Sequence, residues 1–394
     1  MKSKLSPAFW LNLFSGFNHA AGALSLVIIS PLLLKSGIYS HFSVMPISMK
    51  LKWLGYFLAL KPTCEAASAF VLSRIQRVRS LLTMNTCLIL ILVSLGLTAA
   101  SMFYGNLMLL FIAQALMGLG ASVIFLIETA ITQLTPSHQL TRAFNSLEWA
   151  IGMGMLIGPI LGSWVSHINT VWQPDYPYLL FSVVGLALFV IGARFVPLNA
   201  LSAVDIDHPP AGMSWFDYLA WFCFMLGWHG YFHWFPALLI HHFSYSTLQL
   251  GHVFTYLGVL YVFCQFGIVR RFTGYGNKWR VVQVALPVVA ICIACMAFVA
   301  SRFELFVLLF FYMLSISFLL PFWKSYLTTR YHQDPAKMFG TMTVITTACS
   351  ILASALGGQL SSFSLTFLFV LSGAIVLLAS LFLYLSAFFP THQK

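Results

Sequence analysis

Twelve apolar stretches of about twenty residues, nearly free of charge, divide this chain of 394 residues. Twenty residues at ~1.5 Å rise is the length a helix needs to cross the hydrocarbon core of a bilayer. The runs are continuous, whereas strands of a membrane barrel alternate apolar and polar residues over about ten positions. Composition agrees: 60% of the residues are hydrophobic, 16% aromatic and 7% charged. A soluble domain carries charge on about a quarter of its residues. The expectation is an all-α membrane protein.

The runs fall near 8–34, 52–73, 80–101, 106–134, 145–166 and 177–197, and then near 215–239, 250–269, 280–300, 304–326, 337–359 and 364–388. We number them spans one to twelve. The first follows Lys2 and Lys4 and reads as an uncleaved span, being too long for a signal segment. Between the sets lies 199–214, with Asp205, Asp207, His208, Pro209 and Pro210, the most polar stretch of the chain. It is the expected cytoplasmic linker between a half at 1–198 and a half at 215–394.

The net charge of +11 comes from Lys and Arg scattered through short segments between spans, which excludes a nucleic-acid surface. Cytoplasmic loops collect such residues. With the N-terminus inside, fifteen fall on the cytoplasmic side, and only Lys35, Lys50, Lys52 and Arg302 fall outside. Both termini are therefore expected in the cytoplasm, in an inner or plasma membrane. Seven cysteines lie mostly within apolar runs; even Cys292 and Cys295, at redox-motif spacing, read as packing thiols.

The two sets of spans repeat. Leu161-Gly162-Ser163 in span five and Leu356-Gly357-Gly358 in span eleven stand 195 positions apart. The basic segment at Arg74, Arg77 and Arg79 has a counterpart at Arg270, Arg271, Lys278 and Arg280, about 196 positions later. Duplicated halves that rock about a central site are a recurrent transporter architecture.

Span five contains Gly152-Met153-Gly154-Met155-Leu156-Ile157-Gly158-Pro159-Ile160-Leu161-Gly162-Ser163. Gly154, Gly158 and Gly162 recur every four residues, so one bare face admits a neighbouring helix. Pro159 removes a backbone donor and bends the span. Across its full length the chain resembles the major facilitator superfamily. The run from Gly154 is similar to that family's span-five antiporter signature, G-x-x-x-G-P-x-x-G-G, with Ser163 for the last glycine. The resemblance implies twelve helices in two pseudo-symmetric six-helix halves, and proton-coupled antiport, hence export. After span two the family pattern is G-x-x-x-D-R-x-G-R-R. Arg74 and Arg77 match it, but Ser73 replaces the acid, and Ala69 and Gln76 replace glycines. In span four Gln114 stands where many proton-coupled members carry Arg.

Ionisable groups at bilayer depth cost at least ~2.5–3.5 kcal/mol each, so each is a functional candidate. Lys61 and Glu65 in span two lie one turn apart with Pro62 between them. They read either as a neutralised structural pair, or as a contact from Lys61 to an anionic solute group with Glu65 holding Lys61 or carrying a proton. Glu128 in span four has no basic neighbour in sequence and so needs a partner from another helix or from water; proton coupling, substrate contact and a structural hydrogen bond are its three readings. His229 and His233 share a face of span seven beside Trp234, either as packing residues or as ligands for a solute or metal chelate. His19 and Asn18 in span one occupy the equivalent helix of the other half.

These features point to a monomeric secondary transporter that moves a small organic solute by alternating access, with Glu128, Glu65 and His229 as proton-coupling candidates. Lys61, His19, Asn18, His233 and Trp234 are the substrate-binding candidates. No cofactor or resident metal is expected, and without a phosphate-binding loop the energy comes from an ion or solute gradient. Uptake by symport of a carboxylate, amino-acid-like or metal-chelate solute is the alternative. An intramembrane enzyme using His229, His233 and Glu128 is the remote one.

Overall fold

Apolar runs become helices because lipid offers the backbone no hydrogen-bond partners. The computed structural model describes residues 7–34, 44–75, 80–124, 127, 128, 131, 135, 140–167, 178–180, 182–185, 187, 214–272, 277–331 and 335–388. Span one is Pro7–Leu34, span two Ile47–Ile75, span three Ser80–Tyr104 and span five Leu140–His167. Span four starts as Leu107–Ala121, and span six is described only between 178 and 187. Spans nine to twelve are Lys278–Cys295, Arg302–Arg330, Pro335–Phe363 and Leu365–Phe388. Eight of the described helices are long and apolar enough to cross a membrane. Of the expected linker at 199–214 all but Ser214 lies outside the described residues, as do Lys35, Arg77 and the side chain of Arg74.

Helix starts are set by polar caps. Asn106 accepts from the N–H groups of Met108 and Leu109, directly after a turn in which Gly105 takes φ 62°. Reciprocal Ser–Gln and Ser–Glu boxes at Ser246/Gln249 and Ser301/Glu304 begin spans eight and ten.

Among the described residues, spans seven and eight depart most from a single regular helix. Span seven, expected as one run over 215–239, is Trp215–Phe232 followed by Phe235–Phe243, with a turn at His233 and Trp234. Pro236 has no N–H to return to the Phe232 carbonyl, and the helix divides there. Span eight runs from Thr247 to Phe263, passes through a π-helical turn at Cys264–Val269, and ends at Arg270–Phe272. Within that turn the Gln265 amide donates to the Ser317 carbonyl of span ten at 3.1 Å.

The packing has two-fold logic. Span one packs on span five as span seven packs on span eleven, and span three packs on span four as span nine packs on span ten. The halves meet along two seams, span two on span eleven and span eight on span five, which exchange under the same symmetry. Gly55 lies against Gly358, where an added Cβ would stand 2.8 Å from the Gly358 Cα. Gly251 lies against Ser163, where an added Cβ would collide with the serine side chain. Gly55 and Gly251 are 196 positions apart (251 − 55), and Ser163 and Gly358 are 195 apart (358 − 163). The repeat is thus visible in the contacts themselves. Both seams are tight at the end the loop charges assign to the outside.

The span-five glycines pack within the N-terminal half. Cβ atoms at Gly154 and Gly158 would collide with the carbonyls of Gly16 and Ala20, and one at Gly162 would sit 2.7 Å from Leu24 Cδ1. The bare face expected from the sequence is therefore the bed for span one. At the opposite end of the C-terminal half, fully buried Asp217 accepts from the Tyr331 hydroxyl at 2.5 Å and pairs with Arg330 at 3.5 Å. Arg330 also donates to the Ser386 carbonyl at 2.9 Å, tying spans seven, ten and twelve into one body.

Candidate functional site

A cavity of about 390 Å³ lies between the halves. Its lining comes from spans one, two, four and five and from their counterparts seven, eight, ten and eleven. His19, Lys61, Glu65, Gln114, Glu128 and Glu148 come from the first half. Trp221, Trp228, His229, Phe232, His233, Tyr312 and Lys324 come from the second. Most of the rest of the lining is apolar, as in small-molecule sites generally.

The strongest interactions in the cavity cross between the halves. The Lys324 ammonium of span ten is 2.8 Å from a Glu148 carboxylate oxygen and 3.5 Å from Glu128. These side chains keep only 12%, 4% and 12% exposure for Lys324, Glu148 and Glu128. The other Glu148 oxygen accepts from the Tyr261 hydroxyl of span eight at 3.0 Å. Glu148 of span five is thereby held by spans eight and ten. Sequence reasoning missed both Lys324 and Glu148, and counted Lys324 among the cytoplasmic loop cations; the structure places it in the cavity wall. A signal was present, because Glu128 and Lys324 are 196 positions apart (324 − 128), the spacing of the repeat. Symmetry-equivalent sites in spans four and ten carry an acid and a base, and they meet between the halves.

A second set of polar contacts lies nearer the break in span seven. His229 Nδ1 is 3.3 Å from His233 Nε2, and His233 Nδ1 is 2.7 Å from the Ser354 hydroxyl of span eleven. Trp228 stacks on Phe232 with ring centroids 5.4 Å apart, and its indole N–H donates to the Tyr312 hydroxyl at 2.8 Å. Among the described residues no group of three or more His, Cys, Asp or Glu is placed to hold a metal ion. In span one, His19 Nδ1 lies 2.9 Å from the Ser15 carbonyl. A carbonyl only accepts, so Nδ1 carries the hydrogen and Nε2 is left as an acceptor. Asn18 lines the cavity beside it, and its Oδ1 has no hydrogen-bond partner among the described residues.

Two expectations change. Trp234 is fully buried outside the cavity lining, where its N–H donates to the Ala353 carbonyl at 3.2 Å and its ring covers Gly357. It is a packing residue between spans seven and eleven. Lys61 and Glu65 both line the cavity, yet among the described residues no ion pair joins them. Span four is pressed onto span two at this level, since a Cβ at Gly118 would collide with the Lys61 carbonyl. Glu128, without a basic neighbour in sequence, finds Lys324 in the other half.

The sequence profile described as the Major Facilitator Superfamily matches residues 13–211. The chain belongs to the major facilitator superfamily. Its fold is the twelve-helix arrangement of two pseudo-symmetric halves, and solved members superpose along nearly the whole chain. The human organic anion transporter MFSD10 (TETRAN) aligns with TM-score 0.73 at 17% identity, covering 97% of this chain and 100% of that one. A D-xylose-proton symporter aligns with TM-score 0.75 at 13% identity, covering 96% and 97%. At these identities the likeness is one of fold. No curated protein matches the sequence. Membership makes this superfamily protein a multi-pass secondary transporter of small solutes rather than an enzyme.

Proposed function

We propose that this protein is a proton-driven exporter of a small organic solute, working by alternating access in an inner or plasma membrane with both termini in the cytoplasm. The observation that carries the reading is the shared cation: Lys324 of one half is held by Glu128 and Glu148 of the other. The rocking bodies are the halves at 1–198 and 215–394, and the unit is one chain.

The chemistry follows from the charges. Glu65, Glu128, Glu148, Lys61 and Lys324 all line the cavity. With the histidines neutral and these five groups ionised, one carboxylate is in surplus, and a buried unpaired charge is costly. A single proton balances the set. Of the two carboxylates on Lys324, Glu148 holds the shorter leg and also the Tyr261 hydroxyl, so Glu128, on the 3.5 Å leg, is the one whose protonation breaks fewer contacts. Protonation then leaves Lys324 tied through Glu148 alone. A charge-assisted hydrogen bond contributes about 1.5–3 kcal/mol. Its loss biases the halves toward separation at the inner end, the end at which Lys324, Glu128 and Glu148 lie in their spans. A proton entering from outside favours inward opening, its release restores both legs, and the solute leaves on the return. A ligand shifts such an equilibrium only by its differential affinity for the two states, and here the proton has one.

The test needs no known substrate. Spin labels at the inner ends of spans four and ten, in protein reconstituted in nanodiscs, should report longer distances at pH 5 than at pH 8. Glu128→Gln should fix the longer distances at both values. A pH-independent wild-type distribution would overturn the role of Glu128. Direction is read separately: solute-dependent proton release in inside-out vesicles marks antiport. Accumulation in right-side-out vesicles with proton entry marks the second reading, symport, which Lys61 favours as a group able to take a solute carboxylate.

A further inference from the structure

Lysine and glutamate one turn apart on a helix normally find each other. Lys61 and Glu65 stand at that spacing, both facing the cavity. Among the described residues neither makes a hydrogen bond or an ion pair. The Lys61 ammonium instead lies over span one, 3.2 Å from where a Cβ at Gly22 would stand. Lys61 and Glu65 feel each other's charge without forming an ion pair; Lys61 is also within electrostatic reach of His19 and His233, and Glu65 of Glu128. Two opposite charges held apart in a low-dielectric chamber are expensive unless something between them satisfies both.

An anionic solute would satisfy Lys61 and leave Glu65 facing it. A cationic solute would do the reverse. One that carries both charges satisfies both residues and adds no net charge to the cavity. The opposite wall adds a second requirement. Trp228 and Phe232 are stacked with planes 14° apart, and Tyr312 accepts from Trp228 beside them. These three rings, all in the cavity lining, present an apolar wall suited to a planar ring. The volume of about 390 Å³ accommodates a solute of amino-acid size with a ring and leaves room for water.

We propose that the chamber recognises a ring-bearing zwitterion, with Lys61 taking its carboxylate, Glu65 its ammonium, and the Trp228–Phe232–Tyr312 wall its ring. The assignment rests on the transporter reading and names its substrate class. It leaves proton coupling with Glu128 and Lys324.

Two series of matched probes test it: phenylalanine, phenethylamine and 3-phenylpropionate, and their indole counterparts tryptophan, tryptamine and indole-3-propionate. Binding is measured at fixed pH by calorimetry on the full chain in nanodiscs. The zwitterion of at least one series should bind the wild type roughly ten- to a hundredfold more tightly than its single-charge analogues. Lys61→Met should remove the advantage over the amine only, and Glu65→Gln the advantage over the acid only. That crossed pattern requires both variants to be folded, so a general loss of structure cannot imitate it. Equal binding of the three charge types, tighter binding of a single-charge analogue, absence of zwitterion binding in both series, or uncrossed variants would each overturn the proposal. The pH-dependent distance change at the inner end is measured without any ligand, so either reading can fail while the other stands.

Discussion

Among the described residues, the N-terminal half lines the cavity with His19, Lys61, Glu65, Glu128 and Glu148 and with Phe57 as its one Phe, Tyr or Trp ring; the C-terminal half lines it with Trp221, Trp228, Phe232, Phe254, Tyr261 and Tyr312, two histidines and one lysine. The helical frames correspond, since the seam contacts at Gly55/Gly358 and Gly251/Ser163 repeat at offsets of 196 (251 − 55) and 195 (358 − 163). The repeat preserves backbone packing, which depends on small residues at helix crossings. Side chains that face the cavity are free of that constraint and have diverged into a charged wall and an aromatic wall. The difference teaches where function sits in a duplicated transporter: at symmetric positions with unlike residues. Glu128 and Lys324 are the clearest case, an acid and a base 196 positions apart (324 − 128) that meet at 3.5 Å.

If Lys324 is what makes the charged wall tolerable, removing it should have the largest effect. Lys324→Met leaves Glu128 and Glu148 buried without a cation, and breaking such a pair costs about 3–5 kcal/mol. Thermal unfolding of the purified protein should fall markedly, and more at pH 8 than at pH 5, where protons replace the lysine. A loss of stability equal at both values would show that the cation does not compensate these carboxylates. The exchanged pair, Glu128→Lys with Lys324→Glu, should recover part of the loss that either change alone produces.

The two acids are unequal, and their amide variants should separate them. Glu148→Gln removes the 2.8 Å leg and the acceptor of the Tyr261 hydroxyl, so it should cost more stability than Glu128→Gln, by about 1–2 kcal/mol. Conformational sensitivity to pH should disappear in Glu128→Gln and persist in Glu148→Gln. The opposite assignment in spin-label distances would make Glu148 the proton carrier.

Much of this fold is legible in the residues. Apolar run length marks the spans, and repeated Leu-Gly-Ser and Leu-Gly-Gly segments mark the duplication. The division of span seven is foreshadowed by Pro236, although its place depends on which carbonyl loses its donor. The site is less legible, for a physical reason. Glu148 and Lys324 look like end-of-span charges when read along one helix, because nothing local says which face a residue takes. Their meaning comes from crossing helices 176 positions apart in the chain (324 − 148). Trp234 errs in the other direction, since an aromatic beside two cavity histidines turns the opposite way at a helix break and packs on Gly357. Only the repeat offset, applied to single ionisable residues, carries long-range information in one sequence.

The smallest effects should come from single hydroxyls, and they bear on whether the walls differ in kind. Tyr261→Phe removes a neutral donor to a carboxylate, a bond of about 1.5–3 kcal/mol. Tyr312→Phe removes the acceptor of the Trp228 indole, a neutral pair of about 0.5–1.5 kcal/mol. Both tyrosines line the same cavity, and both changes keep the ring. Unfolding temperatures should therefore fall more for Tyr261→Phe than for Tyr312→Phe. If the two variants lose equal stability, Tyr261 belongs functionally with the aromatic wall, and the charged wall ends at the boundary of the N-terminal half and Lys324.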